Sequence, residues 1–309
     1  MVVVGELNAD LILNHLASFP ETGKEKLAGE MTLALGSSTA IFASNLSSLG
    51  GKVAFIGKIG NDIFGRFCKQ ELDNKGVDTS MVVIDEKLDT GATVVLNFGE
   101  DRAMITHQGA MKHLSVADIT PEKIAVARHL HFSSYFLQPG FKNNLAGLFK
   151  MAKEAGMTTS FDLQWDPEEK WDFDYKDVIP YVDIFLPNEK ELLKLTDKED
   201  LDEAIAEIKS ITNILAIKMG SKGSVLLYNG KKNFRPAYLN NAVVDAIGAG
   251  DSFNAGFIYK FITGESLEKC QEFANLTGAI STTAPGGTSA FKDKQAVMAI
   301  AKEKFGYDE

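Results

Sequence analysis

Two cysteines in 309 residues are too few for a disulfide framework. Cys68 and Cys270 share no CxxC or metal-ligand spacing, and both fall in helical apolar patterns, so buried free thiols are expected. The chain also lacks any run approaching the roughly 18 apolar residues of a membrane span. Its first five residues, Met-Val-Val-Val-Gly, carry no basic leading region and no small-residue cleavage site, so no secretory leader is expected. Reduced thiols and no leader together give a cytoplasmic expectation. Positive charge is scarce as well: 32 Lys and Arg stand against 42 Asp and Glu, a net charge of −10. No basic cluster stands out, which argues against nucleic acid as the partner. A few local donors could still hold a phosphorylated ligand. The five histidines include no HExxH or similar spacing; His129 and His131 alternate on one expected strand, a structural pattern.

What is present is ordinary globular composition, 45% hydrophobic and 24% charged, enough for a full core. Short apolar runs at 1–4, 53–57, 129–132, 158–161, 183–186 and 214–217 read as buried strands. Amphipathic stretches at 39–49, 64–75, 143–155 and 201–210 read as helices. Alternation of this kind predicts a mainly parallel sheet covered on both faces. Residues 251–304 carry a helical pattern broken at 263–264 and 285–287. Two segments depart from the alternation. One is 11–35. The other spans 90–107 and reads as a hairpin, with arms at 92–98 and 103–106 around a turn at 99–102. Together they suggest a small sheet beside the α/β body. It is either a pair of surface excursions or a lid, because loops leaving the carboxyl ends of parallel strands border the ligand crevice.

The segment 243–257 is the richest in chemistry. Gly248, Ala249 and Gly250 run into an apolar helical pattern, and small side chains let backbone approach a ligand. The first N–H groups of a helix have no internal partners and form a ready anion site. Asp251 stands at that helix start, where the dipole favours its ionised form. Phosphoryl transfer needs preorganised donors for the moving group and a carboxylate to take the proton of the attacking hydroxyl. A capping aspartate after a glycine turn explains the same residues equally well. No Walker A loop occurs.

Asp245-Ala246-Ile247-Gly248-Ala249-Gly250-Asp251 through Gly256 resembles the C-terminal signature of the PfkB, or ribokinase-like, carbohydrate kinases, D-T-x-G-A-G-D-x-F-x-x-G, with Ala246 in place of Thr. Further segments match in order. Residues 5–10 resemble the family's first strand and substrate-binding Asp. Residues 49–65 resemble its next strand and glycine turn. Asn188 to Glu191 gives its N-x-x-E, and Lys218 to Gly223 resembles its T-x-G-x-x-G. The resemblance spans essentially the whole chain.

It implies a set of roles. Asp251 is the base, and Gly248, Ala249 and Gly250 form the anion hole. ATP lies along Lys218, Gly220, Gly223, Asn188 and Asn275. Asn8, Asp10, Gly36 and Ser37, with Asp251, face the acceptor. Asn188 and Glu191 serve Mg²⁺, through water, and Asp245 borders a site for a monovalent cation such as K⁺. Read locally, Asn188 and Glu191 are equally a capping pair, Gly220 and Gly223 a turn, Asp10 a turn aspartate, and Asn275 a satisfied core amide. Lys218, where the family has Thr, is either a cation for ATP phosphates or for an acidic group, or a strand-end lysine reaching solvent.

Three departures bear on specificity. The family's G-G-x-x-x-N becomes Gly36 to Ile41, with Ser37 for the second Gly and Ile41 for Asn. Its D-x-N-x-R becomes Asp162 to Asp166, with Gln164 for Asn and Asp166 for Arg. Losing that Arg weakens the case for an acidic acceptor.

The fold implied is an α/β, ribokinase-like three-layer α/β/α sandwich with a mainly parallel sheet and a small β lid. Residues 1–10, 36–88 and 110–309 would form the body, and 11–35 and 89–109 the lid. The activity implied is ATP-dependent phosphorylation of a sugar-like small molecule by a homodimer joined through its lids. A nucleoside kinase on the same fold and a non-catalytic sugar or nucleotide sensor are the rivals. Phe19 and Phe98 are candidates for the platform that a purine would need.

Overall fold

The structure is a computed structural model that describes residues 1–98 and 101–308. Six expected strands form the centre of an eight-stranded sheet. Its order is Lys231–Arg235, Ser224–Tyr228, Ile214–Lys218, Ile184–Phe185, Thr158–Asp162, His129–Ser133, Val2–Val4 and Ala54–Ile56. All neighbours from Ile214–Lys218 to Ala54–Ile56 are parallel. The strands Ser224–Tyr228 and Lys231–Arg235 add as antiparallel hairpin arms.

Strand alternation explains the layers. Val2 and Val4 point into one apolar core with Phe132, Phe161 and Phe185, while Val3 points into the other with Phe55, Ala216 and Phe257. Helices cover both faces: Leu145–Glu154, Glu189–Thr196 and Leu201–Ile208 on the first, Ser38–Ser48, Ala249–Ile262 and Leu267–Ser281 on the second. Each ring buried in these cores contributes about 1.5–3 kcal/mol by leaving water. A third cluster, including Phe273, Ile280, Phe291 and Val297, packs Lys294–Phe305 onto the second layer.

Two buried histidines in this body share one serine hydroxyl. His129 contacts Thr158 Oγ1 at 2.8 Å and Ser160 Oγ at 2.7 Å, and His131 contacts the same Ser160 hydroxyl at 2.7 Å. Burial pushes His129 down to about 3, so it is neutral at working pH. Both histidines are structural. Cys68 and Cys270 are buried free thiols, each pushed up to about 12 by burial.

A separate four-stranded sheet has the order Glu30–Leu35, Asn8–Asn14, Gly91–Phe98 and Asp101–His107. The hairpin Gly91–Phe98 with Asp101–His107 is antiparallel; its second arm begins at Asp101, inside the turn expected at 99–102, and residues 99–100 lie outside the described residues. The first strand begins at Asn8, so Asn8 and Asp10 sit on this small sheet rather than on the preceding body strand. A further parallel pair, Lys58–Gly60 with Val83–Asp85, has no counterpart in the sequence reading; three-residue strands give too short a pattern to detect. Among the described residues no helix is long and apolar enough to cross a membrane.

Candidate active site

The carboxyl ends of the strands Thr158–Asp162 and Ile214–Lys218 bring Asp162 and Lys218 close to Asp251, at the start of the helix Ala249–Ile262. The helix Ala249–Ile262 starts there because Gly248 takes a left-handed conformation, φ 72°. A side chain at 248 would meet Gly287 Cα at 2.5 Å, so the turn at 248–250 packs directly on the turn at 285–287. Asp245 fastens these two turns: Oδ1 accepts the Ile247 N–H at 2.9 Å, and Oδ2 accepts the Gly286 N–H at 2.9 Å. The Ala249 N–H donates to the Ala246 carbonyl at 3.3 Å, and the next N–H groups are those a helix start leaves without intrahelical partners.

Asp251 lies in the first turn of that helix and is 8% exposed. Its Oδ1 accepts from Ser38 Oγ at 2.7 Å and from Gln164 Nε2 at 3.1 Å. Burial pushes this carboxyl up to about 7, the nearby charge of Asp162 pushes the same way, and the Ser38 bond and Lys218 oppose them. A carboxyl in this range can both accept and release a proton near neutrality.

Lys218 ends the strand Ile214–Lys218 and donates to Asp162 Oδ2 at 2.6 Å, with Asn254 Oδ1 at 3.4 Å. Asn254 also donates to Asp162, and Gln164 Nε2 donates to Asp162 Oδ2 at 3.0 Å. Burial alone would lower the Lys218 pKa, but the Asp162 and Glu191 carboxylates outweigh it and hold it above its usual value. Its ammonium lies 3.7 Å from where a Gly250 side chain would begin, so it flanks the 248–250 turn. It is an internal ion pair and does not reach out to solvent.

Asn188 and Glu191 start the helix Glu189–Thr196 as a reciprocal capping box. Glu191 Oε2 accepts the Asn188 N–H at 2.9 Å, and Oε1 accepts Asn188 Nδ2 at 2.6 Å. Glu191 is buried and pushed up to about 7, first by desolvation and then by Asp162. No group of three or more His, Cys, Asp or Glu among the described residues is placed to hold a metal ion. Gly223, at φ 117°, fits only as glycine because a side chain would fall 2.1 Å from the Arg235 carbonyl. Gly220 is left-handed and open on its Cβ side. Asn275 donates to the carbonyls of Arg235 at 3.3 Å and Pro236 at 3.2 Å, which ties its helix to that strand end.

On the small sheet, Asp10 Oδ1 accepts from Asn8 Nδ2 at 3.1 Å. A side chain at Gly36 would fall 2.1 Å from Asp10 Oδ1, so the missing Cβ makes room for that carboxylate. Burial pushes Asp10 up to about 6, against the Asn8 bond. Ser37 caps the helix Ser38–Ser48 in a positive-φ conformation, φ 70°, a geometry that explains why glycine is the family's usual residue there. Its hydroxyl donates to the Glu6 carbonyl at 2.5 Å and accepts the Ala40 N–H at 3.1 Å. That hydroxyl is thus occupied by the backbone.

Glu6 joins the cluster without having been singled out from sequence. It is buried, accepts from Thr39 Oγ1 at 2.5 Å and Ser134 Oγ at 2.8 Å, and is pushed up by burial. Its partners are 33 and 128 residues away, so no local pattern could have revealed it. Ser38 and Asp162 stand at element ends and Asn254 lies within its helix, and their contacts, Ser38 with Asp251 and Asn254 with Asp162, join segments far apart in the chain.

The chain matches the model of the "pfkB family carbohydrate kinase" over residues 1–294. It belongs to that family. The ATP-dependent ribose-1-phosphate kinase of Halopiger xanaduensis is 29% identical over 308 residues, 97% of each chain. The 2-dehydro-3-deoxygluconokinase of Bacillus subtilis is 29% identical over 257 residues, 79% of each chain. Among solved structures, Arabidopsis thaliana ribokinase complexed with ribose and ATP superposes with a TM-score of 0.85 at 26% identity, covering 97% of this chain and 98% of that one. This pfkB kinase is an ATP-dependent carbohydrate kinase with the ribokinase-like fold.

Proposed function

We propose that this pfkB kinase transfers the γ-phosphoryl group of ATP to a hydroxyl of a neutral sugar or related small polyol. Asp251 is the base, and the backbone of Gly248, Ala249 and Gly250 is the anion hole. One observation carries the reading: a buried carboxyl near 7 sits in the first turn of a helix whose start is lined by glycine and alanine. Those N–H groups stabilise charge that develops on the transferred group, and Asp251 receives the acceptor's proton.

The acceptor class follows from charge. In this reading Asp10 and Asp251 face the acceptor side, and the nearby Lys218 is committed to Asp162. Carboxylates grip hydroxyls well and repel a phosphate or carboxylate on the acceptor. ATP would run past Gly220, Gly223 and Asn188 to the anion hole, with Asn275 on the base side. Mg²⁺ keeps most of its waters and binds phosphates readily, so Glu191 and Asn188 would serve it through water. Each oxygen of Asp245 retains a lone pair that could face K⁺. Residues 11–35 and 89–109 would close as a lid and exclude water, which favours transfer over hydrolysis. Met31, Leu33 and Ile105 are exposed on one face of that sheet, at 66%, 40% and 65%, and pairing two lids through that face would cover them. That supports a homodimer, in the cytoplasm.

A panel of neutral sugars, sugar phosphates, sugar acids and nucleosides with ATP and Mg²⁺, read by ADP release, tests the proposal. Neutral sugars should turn over fastest. A preference for a phosphorylated or acidic sugar would overturn the acceptor class, and a preference for nucleosides would favour the rival. Gly36→Ala should push the Asp10 carboxylate aside and raise the acceptor KM roughly 10- to 100-fold, with the KM for ATP little changed. Steady-state kinetics with each substrate varied separately checks this.

A further inference from the structure

Gln164 stands where the family has Asn, one methylene longer than the usual residue. It follows the strand Thr158–Asp162 and holds a left-handed backbone, φ 64°, uncommon for a side chain of this size. That backbone aims the amide inward. Gln164 Nε2 reaches Ser38 Oγ at 2.7 Å, Asp162 Oδ2 at 3.0 Å and Asp251 Oδ1 at 3.1 Å. Ser38 Oγ itself donates to Asp251 Oδ1 at 2.7 Å. Both recorded donors to Asp251 therefore converge on one oxygen, and Asp162 carries the chain of contacts on to Lys218 at 2.6 Å.

We propose that Gln164 is a positioning residue for the base: with Ser38 it locks Asp251 through Oδ1, presents Oδ2 to the acceptor hydroxyl, and links the base to the Asp162–Lys218 pair beside the anion hole. This rests on the reading of Asp251 as base. The physical case is that Asp162 and Asp251 are two carboxylates that repel across a short gap. A neutral amide with two N–H groups can bridge them where a shorter Asn side chain would not span the same distance. The bridge fixes the carboxylate plane, and fixed geometry is what a proton transfer needs. The other charged groups that act on Asp251 are Lys218, Glu6 and Glu191, from three different elements. Lys218 favours the ionised base, and the carboxylates oppose it.

Gln164→Met keeps the length and removes the donors. The expected result is a fall in kcat of about 10- to 100-fold with little change in the KM for ATP. The acid limb of the kcat/KM profile should move up by about one pH unit, because the ionised base loses a hydrogen bond. Ser38→Ala should move the limb in the same direction, and Ser38→Thr, which keeps the hydroxyl, should restore it. The two losses should combine less than additively, since both donors act on Oδ1. Asp251→Asn is measured alongside. If Asp251→Asn is inactive while Gln164→Met and Ser38→Ala both keep the parental kcat and acid limb, the positioning role is wrong and the base stands. If Asp251→Asn turns over normally, the base and the positioning role fall together. Should Gln164→Met fail to fold, an unmoved acid limb in Ser38→Ala is enough to overturn the proposal.

Discussion

Asp251→Asn should leave a folded kinase that still binds ATP and sugar and transfers phosphate about 10²- to 10⁴-fold more slowly, the range that a general base supplies. The amide keeps the size of the carboxyl and can still meet Ser38 and Gln164, so the loss is one of proton affinity. Calorimetry with each ligand and ADP release together separate binding from turnover. In the parent, activity should fall as pH drops through about 7, where Asp251 protonates and the base is lost. The same shift acts on stability. A carboxyl whose folded pKa is about 7 against an ordinary value of 3.8 favours the fold most below about 4 and loses that contribution as pH rises through 7. Asp251→Asn should therefore melt higher than the parent at pH 8 and close to it at pH 4. Thermal melts at the two pH values read the difference. A melting gain at high pH with a loss of turnover is the signature of a carboxylate held ionised against its surroundings for function.

Asp162→Leu should cost about 3–5 kcal/mol of folding stability, because it strands the Lys218 ammonium in a buried site. Lys218 and Asp162 side chains are 11% and 0% exposed, so water screens this pair little. Gln164 keeps Ser38 and Asp251 as acceptors, but the buried Asn254 amide loses Asp162, and a buried donor without that partner adds to the penalty. Replacing both members, Asp162→Leu with Lys218→Met, should recover most of the loss, because no isolated charge remains. Urea unfolding of the two single variants and the double variant measures this. A single variant as stable as the parent would mean that water reaches the pair. The double variant should still lack normal turnover, since the ammonium beside the 248–250 turn is gone, and that divides stability from catalysis at one pair of residues.

Much of this was legible in the chain itself. The apolar runs at 1–4, 129–132, 158–161 and 214–217 became strands because β-branched and aromatic residues buried on both faces have few other folds to adopt. Gly248 and Gly250 before Asp251 announced a helix start that only small residues could form. Capping residues were equally visible, since Asn188 and Glu191 meet across three positions of one helix. Gly36 was legible as a family glycine, but the reason for it, the Asp10 carboxylate 26 positions earlier in the chain, came from the fold.

Local pattern says nothing about contacts between distant segments. Ser38 and Asp251 are 213 positions apart, Gln164 and Asp251 are 87, and Lys218 and Asp162 are 56. Read singly, Lys218 was open between a cation for phosphates or an acidic group and a surface lysine, Ser37 looked free for substrate, and Glu6 drew no notice. The sheet order decides all three. It sets the ends of the strands Val2–Val4, His129–Ser133, Thr158–Asp162 and Ile214–Lys218 along one edge, beneath a helix start supplied from residue 249 onward. The sequence by itself determined the family, the strand-and-helix alternation and the glycine turn that bears Asp251, because these depend on residues close in the chain. Only the tertiary structure decided which groups share a proton or a charge, because burial and Coulomb energies depend on distance in space.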